Sequence, residues 1–239
     1  MTLLTARGVT RSFGGLKAVD EVSFELAPGE LISIVGPNGA GKTTLFNLLS
    51  GQLRPTAGAI VFDGAEITAL RPDQRARRGI GRTFQIVRPL AALTVLENAM
   101  VGAFQRHRTR RAAQRRAMEV LELLGFADRA DRRASDLTLA ERKRLEVARA
   151  LAGEPRVLLL DEVMAGLNQT EAAESVEVIR RLNGDGLAVL LIEHNLKVVR
   201  ALARRVLVLD HGAMIAEGGT DEVLEDPKVV EAYMGTRTG

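Results

Sequence analysis

The chain has 239 residues, of which 46% are hydrophobic and 3% aromatic, and its 33 Lys and Arg against 30 Asp and Glu give a net charge of +3. A chain of this length buries one sizeable core, and because it has no Trp and no Cys, that core is aliphatic and holds neither disulfides nor thiolate metal sites. The longest apolar runs, such as 187–192, are too short to span a membrane, and we expect no signal peptide.

The first predicted element is a glycine-rich loop between a strand and a helix. The apolar run ELISIV at 30–35 leads into GPNGAGKT at 36–43, which matches G-x-x-x-x-G-K-[ST], and LFNLLS follows at helical spacing, with Gly51 placed to end that helix. Glycines let backbone N–H groups approach phosphate oxygens, and the helix N-terminus adds its dipole. Lys42 can then reach the β and γ phosphates, and Thr43 can offer its hydroxyl to Mg²⁺. The alternative is a glycine-rich turn that binds nothing.

Strands are predicted on both sides of a helical middle. The segments 59–67 and 206–218 alternate apolar residues around the turns Asp63-Gly64 and His211-Gly212, which is typical of hairpins. Apolar runs at 157–161 and 188–193 alternate with helical patterns such as 171–182, which favours a parallel sheet with right-handed crossovers. Residues 86–152 show successive helices without a convincing strand, so we expect an inserted helical sub-domain there.

Arginines cluster at 71–88 and 106–116. The preferred interpretation of such charge runs is a solvated helical face. Contact with acidic partners or lipid headgroups is the main alternative. Nucleic acid is disfavoured, because no aromatic side chains are interleaved to stack on bases.

Two apolar strands end in polar residues at what should be the same edge of the sheet. VLLLDE ends in Asp161 and Glu162, and LLIEHN carries His194. Ligands bind beyond the carboxyl ends of such strands, so Asp161 is placed to hold Mg²⁺ and Glu162 to deprotonate a water near the γ phosphate. His194 can donate to a γ phosphate oxygen, although a lone histidine is more often structural. Glu162 could instead cap a helix or pair with an arginine.

The segment LTLAERKRLEVARAL at 137–151 begins like a helix with a capping box, because Thr138 is followed three residues later by Glu141. It could also be half of a nucleotide site that a second copy of the chain completes. Gln85, in GRTFQ, lies in a connecting stretch and could complete a metal or water shell. By itself Gln85 carries no signal.

The motifs GPNGAGKTT, FQ, LTLAERKRLEVARAL, VLLLDE, AGLN and IEHN, in this order and spacing, resemble the ATPase subunit of an ABC transporter over nearly the whole chain. The stretches 82–103, 165–168 and 215–235 are similar to the importer ATPases for branched-chain amino acids. The fold this implies is α/β, in one domain of 1–239. A P-loop NTPase core of 1–85 and 153–239 has a mostly parallel sheet and an N-terminal antiparallel β portion, and the α-helical sub-domain is inserted at 86–152.

The resemblance assigns roles by position. Phe13 matches the aromatic residue that stacks on adenine, and Gln85 matches the residue that senses Mg²⁺ and contacts the membrane subunit. Glu162 matches the general base and His194 the switch histidine. The expected catalytic residues are Glu162, His194, Gln85 and Lys42, and the expected metal ligands are Thr43, Gln85 and Asp161. The residues expected to bind ATP are Phe13, Gly36, Pro37, Asn38, Gly39, Ala40, Gly41, Lys42, Thr43, Thr44, Thr138, Ala140 and Glu141.

The 137–151 stretch matches the family signature L-S-G-G-Q, which in one subunit covers the γ phosphate bound to the other. Thr138 stands for Ser, Leu139 and Ala140 stand for the two glycines, and Glu141 stands for Gln. A carboxylate facing phosphate would repel it, so we expect Glu141 to fold back into the capping box, while Thr138 caps its helix, touches phosphate, or does both. AGLN at 165–168 matches the stretch that crosses the dimer interface, with Asn168 in place of the usual Asp.

The function that the resemblance implies is ATP hydrolysis coupled to import. Two subunits, identical or paralogous, would close around two ATP molecules and drive transmembrane permease subunits, which would dock on the helical sub-domain near Gln85. A periplasmic substrate-binding protein is an indirect partner, and no nucleic acid is expected. The chain would lie peripherally on the cytoplasmic face of the inner membrane. Branched-chain amino acids are the expected solute, and urea, amides and other amino acids are alternatives.

Two other classes of protein share some of these motifs. Soluble ABC-type ATPases that act on ribosomes or DNA commonly have two ATPase halves in one chain or long inserts, and this sequence has neither. P-loop GTPases carry N-K-x-D, but residues 195–198 read NLKV, and a P-loop kinase would not need the 137–151 element.

Overall fold

The computed structural model describes residues 2–84 and 89–234. The strands in this part of the chain are β1 (Leu4–Phe13), β2 (Leu16–Leu26), β3 (Leu31–Val35), β4 (Ala57–Phe62), β5 (Ala65–Glu66), β6 (Ile80–Arg82), β7 (Val157–Asp161), β8 (Ala188–Ile192), β9 (Arg205–Asp210) and β10 (Ala213–Gly219). The helices are α1 (Lys42–Leu49), α2 (Pro72–Arg78), α3 (Val95–Ala103), α4 (Arg110–Leu123), α5 (Leu139–Ala152), α6 (Gln169–Gly184), α7 (Leu196–Leu202), α8 (Thr220–Glu225) and α9 (Pro227–Met234). Two short 3-10 turns lie at Ala127–Arg129 and Ala134–Asp136.

The first sheet is antiparallel and has the strand order β2–β1–β4–β5. Along β2, Val22, Phe24 and Leu26 are buried, whereas Ser23 and Glu25 between them are exposed. This alternation is typical of a sheet with one face on the core. The expected N-terminal antiparallel β portion is confirmed.

The second sheet contains the predicted parallel strands. Its order is β10–β9–β3–β8–β7–β6, in which the strands from β9 to β6 are parallel and β10 pairs antiparallel with β9. Every residue of β3, β7 and β8 is buried, as expected for strands covered on both faces. The mostly parallel sheet is confirmed, and the carboxyl ends of β3, β7 and β8 meet at one edge.

The helices α3, α4 and α5, which come between β6 and β7 in the sequence, pack against one another. Within residues 89–152, β pairing is limited to a single bridge between Thr94 and Arg133, so the helical character of this segment is as predicted. The sub-domain boundaries 86–152 stay a prediction. In the described ranges 2–84 and 89–234, none of the helices has the length and apolar character needed to cross a membrane.

Both predicted hairpin turns have the backbone that their sequences favour. Asp63 and Gly64 have φ angles of 51° and 75°, and His211 and Gly212 have φ angles of 43° and 85°. Two consecutive residues with positive φ match the twist of the flanking strands. Gly51 (φ 81°) follows the end of α1, where glycine relieves the steric cost of a left-handed residue.

The prediction of a solvated face for the arginines of 71–88 is wrong for two of them. Arg75, on α2, is fully buried and donates to the carbonyl oxygens of Leu48 (2.6 Å), Leu49 (2.8 Å), Thr68 (2.9 Å) and Leu70 (3.1 Å). Burial lowers the pKa of Arg75 to about 10. Its guanidinium donates to carbonyl oxygens at the C-terminal end of α1 and on the chain before α2, and no local pattern in the sequence reveals these acceptors. Arg82 is the second exception and belongs to the site described next.

The second arginine cluster agrees with the prediction except at Arg116, which is partly exposed. Arg108, Arg110, Arg111 and Arg115 are all exposed. This part of the chain therefore has the solvated face that its charge pattern favours.

Candidate active site

The phosphate loop predicted at 36–43 lies between β3 and α1. Gly36 (φ 146°) and Gly41 (φ 98°) adopt backbone angles that other residues rarely adopt. A Cβ atom at Gly36 would lie 2.0 Å from the carbonyl oxygen of Leu209, and one at Gly41 would lie 2.3 Å from that of Ala18. Both positions therefore require glycine, because β9 and β2 pack directly against the loop.

Lys42 is the first residue of α1, and only 6% of it is exposed. Its Nζ donates to the carbonyl oxygens of Gly36 (2.7 Å) and Pro37 (2.8 Å). Burial lowers the pKa of Lys42, while the carboxylates of Glu162 and Asp161 act in the opposite direction. Of the other predicted loop residues, Asn38, Gly39 and Thr43 are exposed, Thr44 is partly exposed, and Pro37 and Ala40 are buried.

Asp161 ends β7 and is almost completely buried, with 1% exposure. Its Oδ2 accepts a hydrogen bond from Arg82 Nη2 (3.3 Å), and its backbone N–H donates to Thr83 Oγ1 (3.2 Å). Burial raises the pKa of Asp161, although Arg82 opposes this effect. Within the described residues, Oδ1 of Asp161 has no hydrogen-bond partner. A buried carboxylate oxygen without a donor is costly, so this atom is suited to a cation.

The oxygens beside the loop fit Mg²⁺. Asp161 Oδ1 is the buried oxygen that a cation would satisfy, and the Thr43 hydroxyl is exposed in the first turn of α1. Mg²⁺ commonly binds through one or two protein groups together with waters and phosphate oxygens. Across 2–84 and 89–234 there is no group of three or more His, Cys, Asp or Glu that could hold a metal by itself. A cation held here would take its other ligands from waters and phosphate oxygens.

Glu162 and His194 are neighbours at the carboxyl edge of the sheet. Asp161 pairs with Ile192 in the parallel register of β7 and β8, so the residues that follow these strands lie close together. The Oε1 atom of Glu162 is 2.6 Å from Nε2 of His194. Glu162 has a φ of 50°, an unusual backbone conformation for a residue other than glycine. The Glu162 carboxylate and the His194 ring are thus held within hydrogen-bonding distance of each other.

Arg82 links the phosphate-loop helix to Asp161, a contact that the sequence did not reveal. Its Nη1 donates to Asn47 Oδ1 (2.7 Å) and Ser50 Oγ (2.7 Å) on and just after α1, and its Nη2 donates to Asp161. The guanidinium carbon lies 5.9 Å from the ring centroid of Phe46 and 5.1 Å from that of Phe84. The same side chain lines a groove with Phe84, Val101, Gln105 and Arg149. Arg82 therefore connects this groove to the buried carboxylate.

Two further charged residues at the sheet edge were not predicted. Glu193 is buried, and its Oε1 accepts a hydrogen bond from the N–H of Met164 (3.1 Å). Lys143, on α5, donates to the carbonyl oxygens of Glu162 (2.9 Å) and Ala165 (2.6 Å). Burial raises the pKa of Glu193 and lowers that of Lys143. Lys143 thus fixes α5 to the backbone that carries Glu162, and the only sequence signal was a charged residue on an apolar helix face.

The capping box predicted at the start of α5 is confirmed. Thr138 Oγ1 accepts from the N–H of Glu141 (3.3 Å), and Glu141 Oε2 accepts from the N–H of Thr138 (2.8 Å). Glu141 Oε1 lies 3.3 Å from Arg129 Nε and 3.4 Å from Arg132 Nη1. Burial opposes ionisation of Glu141, but the Thr138 amide and the two arginines outweigh it, so the pKa is lowered. Glu141 therefore folds back onto its own helix, as expected, and the two arginines, which were not predicted, compensate its charge.

The remaining predicted residues lie on the surface of the described chain. Phe13 ends β1 with 46% exposure, and the Arg11 guanidinium lies 4.6 Å from its ring centroid. Thr138 is exposed and Ala140 is partly exposed at the start of α5. Asn168 caps α6 by accepting from the N–H of Glu171 (2.9 Å). Gln85 lies outside the described residues, so its predicted roles have no structural description.

Comparison with sequence families gives two matches. A sequence model described as "ABC transporter" matches residues 19–165. A second model, described as "Branched-chain amino acid ATP-binding cassette transporter", matches residues 213–238. Together the matched ranges include the phosphate loop, the α5 segment and the strand that ends in Asp161.

Similar proteins cover the chain almost completely. The Escherichia coli (strain K12) protein named "High-affinity branched-chain amino acid transport ATP-binding protein LivG" is 41% identical over 249 residues, spanning 98% of each chain. The Haemophilus influenzae protein named "Lipopolysaccharide export system ATP-binding protein LptB" is 35% identical over 236 residues, again spanning 98% of each chain. A crystal structure of the ADP conformation of an ATP-binding cassette of an ABC transporter superposes with a TM-score of 0.89 at 33% identity, covering 98% of this chain and 99% of that one.

Proposed function

The chain belongs to the ABC transporter family of ATP-binding proteins, and from this premise we propose that it is the ATP-hydrolysing subunit of an importer for branched-chain amino acids. The observation that carries the proposal is the arrangement at one sheet edge, where a loop that admits only glycine at two positions lies beside Lys42, Asp161 and the Glu162–His194 pair. The 41% identity to the LivG protein supports the choice of solute.

ATP binding is assigned to the loop and the start of α1. Lys42 donates to the β and γ phosphates, and the backbone N–H groups of the loop together with the helix dipole attract the remaining charge. The Thr43 hydroxyl, Asp161 and Gln85 would hold Mg²⁺, which when bound offsets phosphate charge. Phe13, whose ring is largely accessible, would stack on adenine, since an aromatic face suits a planar base.

Hydrolysis is assigned to the pair at the ends of β7 and β8. Glu162 accepts the proton of the attacking water, whose oxygen bonds to the γ phosphorus as the bond from that phosphorus to ADP breaks. His194 Nε2 lies 2.6 Å from the Glu162 carboxylate before ATP binds, and its ring would leave this contact to donate to a γ phosphate oxygen. Lys42 and the N-terminal turn of α1 stabilise the charge that develops on the phosphate oxygens. The backbone of Glu162 is fixed by its own N–H bond to the Ile192 carbonyl (3.0 Å) and by Lys143.

A second subunit would complete each nucleotide site. The exposed Thr138 and the positive N-terminal end of α5 would cover the γ phosphate bound to the partner, with AGLN at 165–168 crossing the interface. The side chain of Glu141 does not oppose this arrangement, because Arg129 and Arg132 already compensate its charge. Two such sites bind two ATP molecules in the closed dimer.

Permease subunits would dock in the groove lined by Phe84, Val101, Gln105 and Arg149. Two of its lining side chains, Phe84 and Val101, are apolar and 40% and 43% exposed, and exposed apolar patches commonly mark interaction surfaces. Closing and opening of the dimer would move the docked permeases, and a periplasmic substrate-binding protein would deliver the solute. The chain would then lie on the cytoplasmic face of the inner membrane.

Replacing Lys42 tests the assignment of the nucleotide site. Lys42→Ala is expected to weaken binding of a fluorescent ATP analogue about tenfold or more, because hydrogen bonds from a cation to phosphate contribute roughly 1.5–3 kcal/mol each. The affinity is measured by titration in the presence of Mg²⁺. Lys228→Ala, at an exposed lysine of α9, is the control and should bind as the unmodified chain does. Equal affinities for all three proteins would contradict the assignment.

Isolation of the intact complex tests the proposed partners. The tagged chain, extracted with detergent from its source cells, is expected to bring down two membrane-spanning permeases. Ribosomes or DNA, retained in a manner that falls steeply with salt, would contradict the importer and favour a soluble ATPase. Uptake of labelled leucine by cells with and without the chain tests the solute. An unchanged rate would favour another imported solute, such as urea, an amide or another amino acid.

A further inference from the structure

The C-terminal helix contacts the phosphate loop through one hydroxyl group. Tyr233, on α9, accepts a hydrogen bond of 2.7 Å from the backbone N–H of Gly36, the first residue of the loop. Building on the proposed nucleotide site, we propose that Tyr233 is a positioning residue for it: its hydroxyl holds Gly36 in place when Lys42 turns toward the phosphates. The assignment gives the C-terminal helix a direct part in nucleotide binding.

Gly36 is held at both of its polar backbone atoms by side chains from different elements. Its N–H is bound by Tyr233, and its carbonyl oxygen accepts from Lys42 Nζ at 2.7 Å. Its φ is 146°. A side chain would not fit at this position, because a Cβ atom would lie 2.0 Å from the Leu209 carbonyl oxygen. Glycine is conformationally permissive, so these two hydrogen bonds help to fix its backbone geometry.

Lys42 cannot keep both of its present hydrogen bonds and also bind two phosphates. An ammonium group has three donors, and two of them are used by the carbonyl oxygens of Gly36 and Pro37. Donation to both the β and the γ phosphate therefore breaks at least one of these bonds. The bond from Tyr233 does not compete with phosphate, so it remains when the contribution of Lys42 is reduced. The Tyr233–Gly36 hydrogen bond therefore contributes more to fixing the loop when nucleotide is bound than when it is not.

The position of Tyr233 is itself well fixed. Its ring packs against the core cluster that contains α3, α5 and β7 residues, and Val229, one turn earlier on α9, is 2% exposed. Burial raises the pKa of the Tyr233 phenol, and the Gly36 N–H acts in the opposite direction. The hydroxyl thus stays neutral at physiological pH. The rigid Tyr233 ring therefore places its hydroxyl oxygen, from the C-terminal helix α9, against the phosphate loop.

Removal of the hydroxyl alone gives the test. In Tyr233→Phe the ring keeps its packing, and the affinity for Mg²⁺ and a fluorescent ATP analogue is expected to fall about fivefold to tenfold, as expected when one buried N–H loses its partner. Thr220→Val is the matched control, because Thr220 Oγ1 donates to the Ala203 carbonyl oxygen (2.6 Å) and is buried in the same C-terminal segment. That variant loses a comparable bond but should keep its affinity for nucleotide.

The unmodified chain provides a second measurement. It contains one tyrosine and no tryptophan, so its intrinsic emission reports on Tyr233 alone and should change on addition of unlabelled ATP and Mg²⁺, with a midpoint equal to the measured affinity. An affinity of Tyr233→Phe equal to that of the unmodified chain, or an equal loss in Thr220→Val, would overturn the proposal. If Tyr233→Phe does not fold, the tyrosine emission of the unmodified chain is the test. Emission that does not change when ATP is added would overturn the proposal. Failure of the unmodified chain to bind ATP would instead reject the nucleotide site itself.

Discussion

Glu162→Gln is expected to lower the rate of ATP hydrolysis by at least about 100-fold, the contribution that a general base commonly makes, while ATP binding stays nearly unchanged. The amide has the size of the carboxylate and can still hydrogen-bond His194, which lies 2.6 Å from Oε1. It cannot accept the proton of the attacking water, so only the chemical step is lost. Phosphate release measures turnover, and a titration with a fluorescent ATP analogue measures binding.

Glu193→Gln is the control for this experiment, because it makes the same chemical change next to the same sheet edge. Glu193 is buried and accepts a hydrogen bond from the Met164 backbone, which the amide oxygen of Gln can also accept. We expect its turnover to stay within about tenfold of the unmodified rate, well short of the loss from a missing general base. Normal turnover in Glu162→Gln would remove Glu162 from the catalytic role.

Arg82→Met is expected to lower the free energy of unfolding by about 3–5 kcal/mol, the usual effect of removing one partner of a buried ion pair. Asp161 would remain in a site where it is 1% exposed, without the guanidinium that now donates to its Oδ2. Asn47 and Ser50 would also lose a donor. Urea unfolding with an unchanged m-value measures the loss.

The loss of stability in Arg82→Met should depend on pH in a predictable direction. Burial already raises the pKa of Asp161, and Arg82 opposes that shift, so removing Arg82 raises the pKa further. A carboxyl group with a raised pKa favours the folded state only when it is protonated. The stability deficit of Arg82→Met should therefore be greatest near neutral pH and narrow as the pH falls toward the ordinary aspartate pKa of 3.8.

Arg156→Met provides the comparison, because the ion pair of Arg156 with Asp63 is formed by side chains that are 47% and 59% exposed. An exposed pair contributes no more than about 1 kcal/mol. A deficit in Arg82→Met no larger than that of Arg156→Met would mean that the buried pair is not the source of stability that its geometry indicates.

The features that the sequence predicted correctly depend on residues close together in the chain. The loop at 36–43, the turns at Asp63-Gly64 and His211-Gly212, and the capping box of Thr138 with Glu141 each follow from local backbone preferences. The edge that gathers Asp161, Glu162 and His194 was also predictable, because parallel strands place their carboxyl ends on one side.

The features that the sequence did not reveal depend on partners far apart in the chain. Arg75 and Arg82 belong to a charge run typical of solvent, yet their acceptors lie on or beside α1 and on β7. Tyr233 and Gly36 are separated by 197 positions, and Lys143 bonds to backbone carbonyls rather than to an acidic side chain. Hydropathy patterns do not identify such partners. They show which side of a helix or strand is buried, but not which polar groups of other elements lie against that side.

Arg75 limits which residues this position can accept during evolution. Its four carbonyl acceptors lie on two sides of the guanidinium, at the end of α1 and on the chain before α2, and only a planar group with five donors can reach all of them. A lysine would keep the charge but concentrate its donors on one atom. Amino-acid substitution at position 75 should therefore be as restricted as at the loop glycines, although the Arg75 side chain takes no part in ATP hydrolysis.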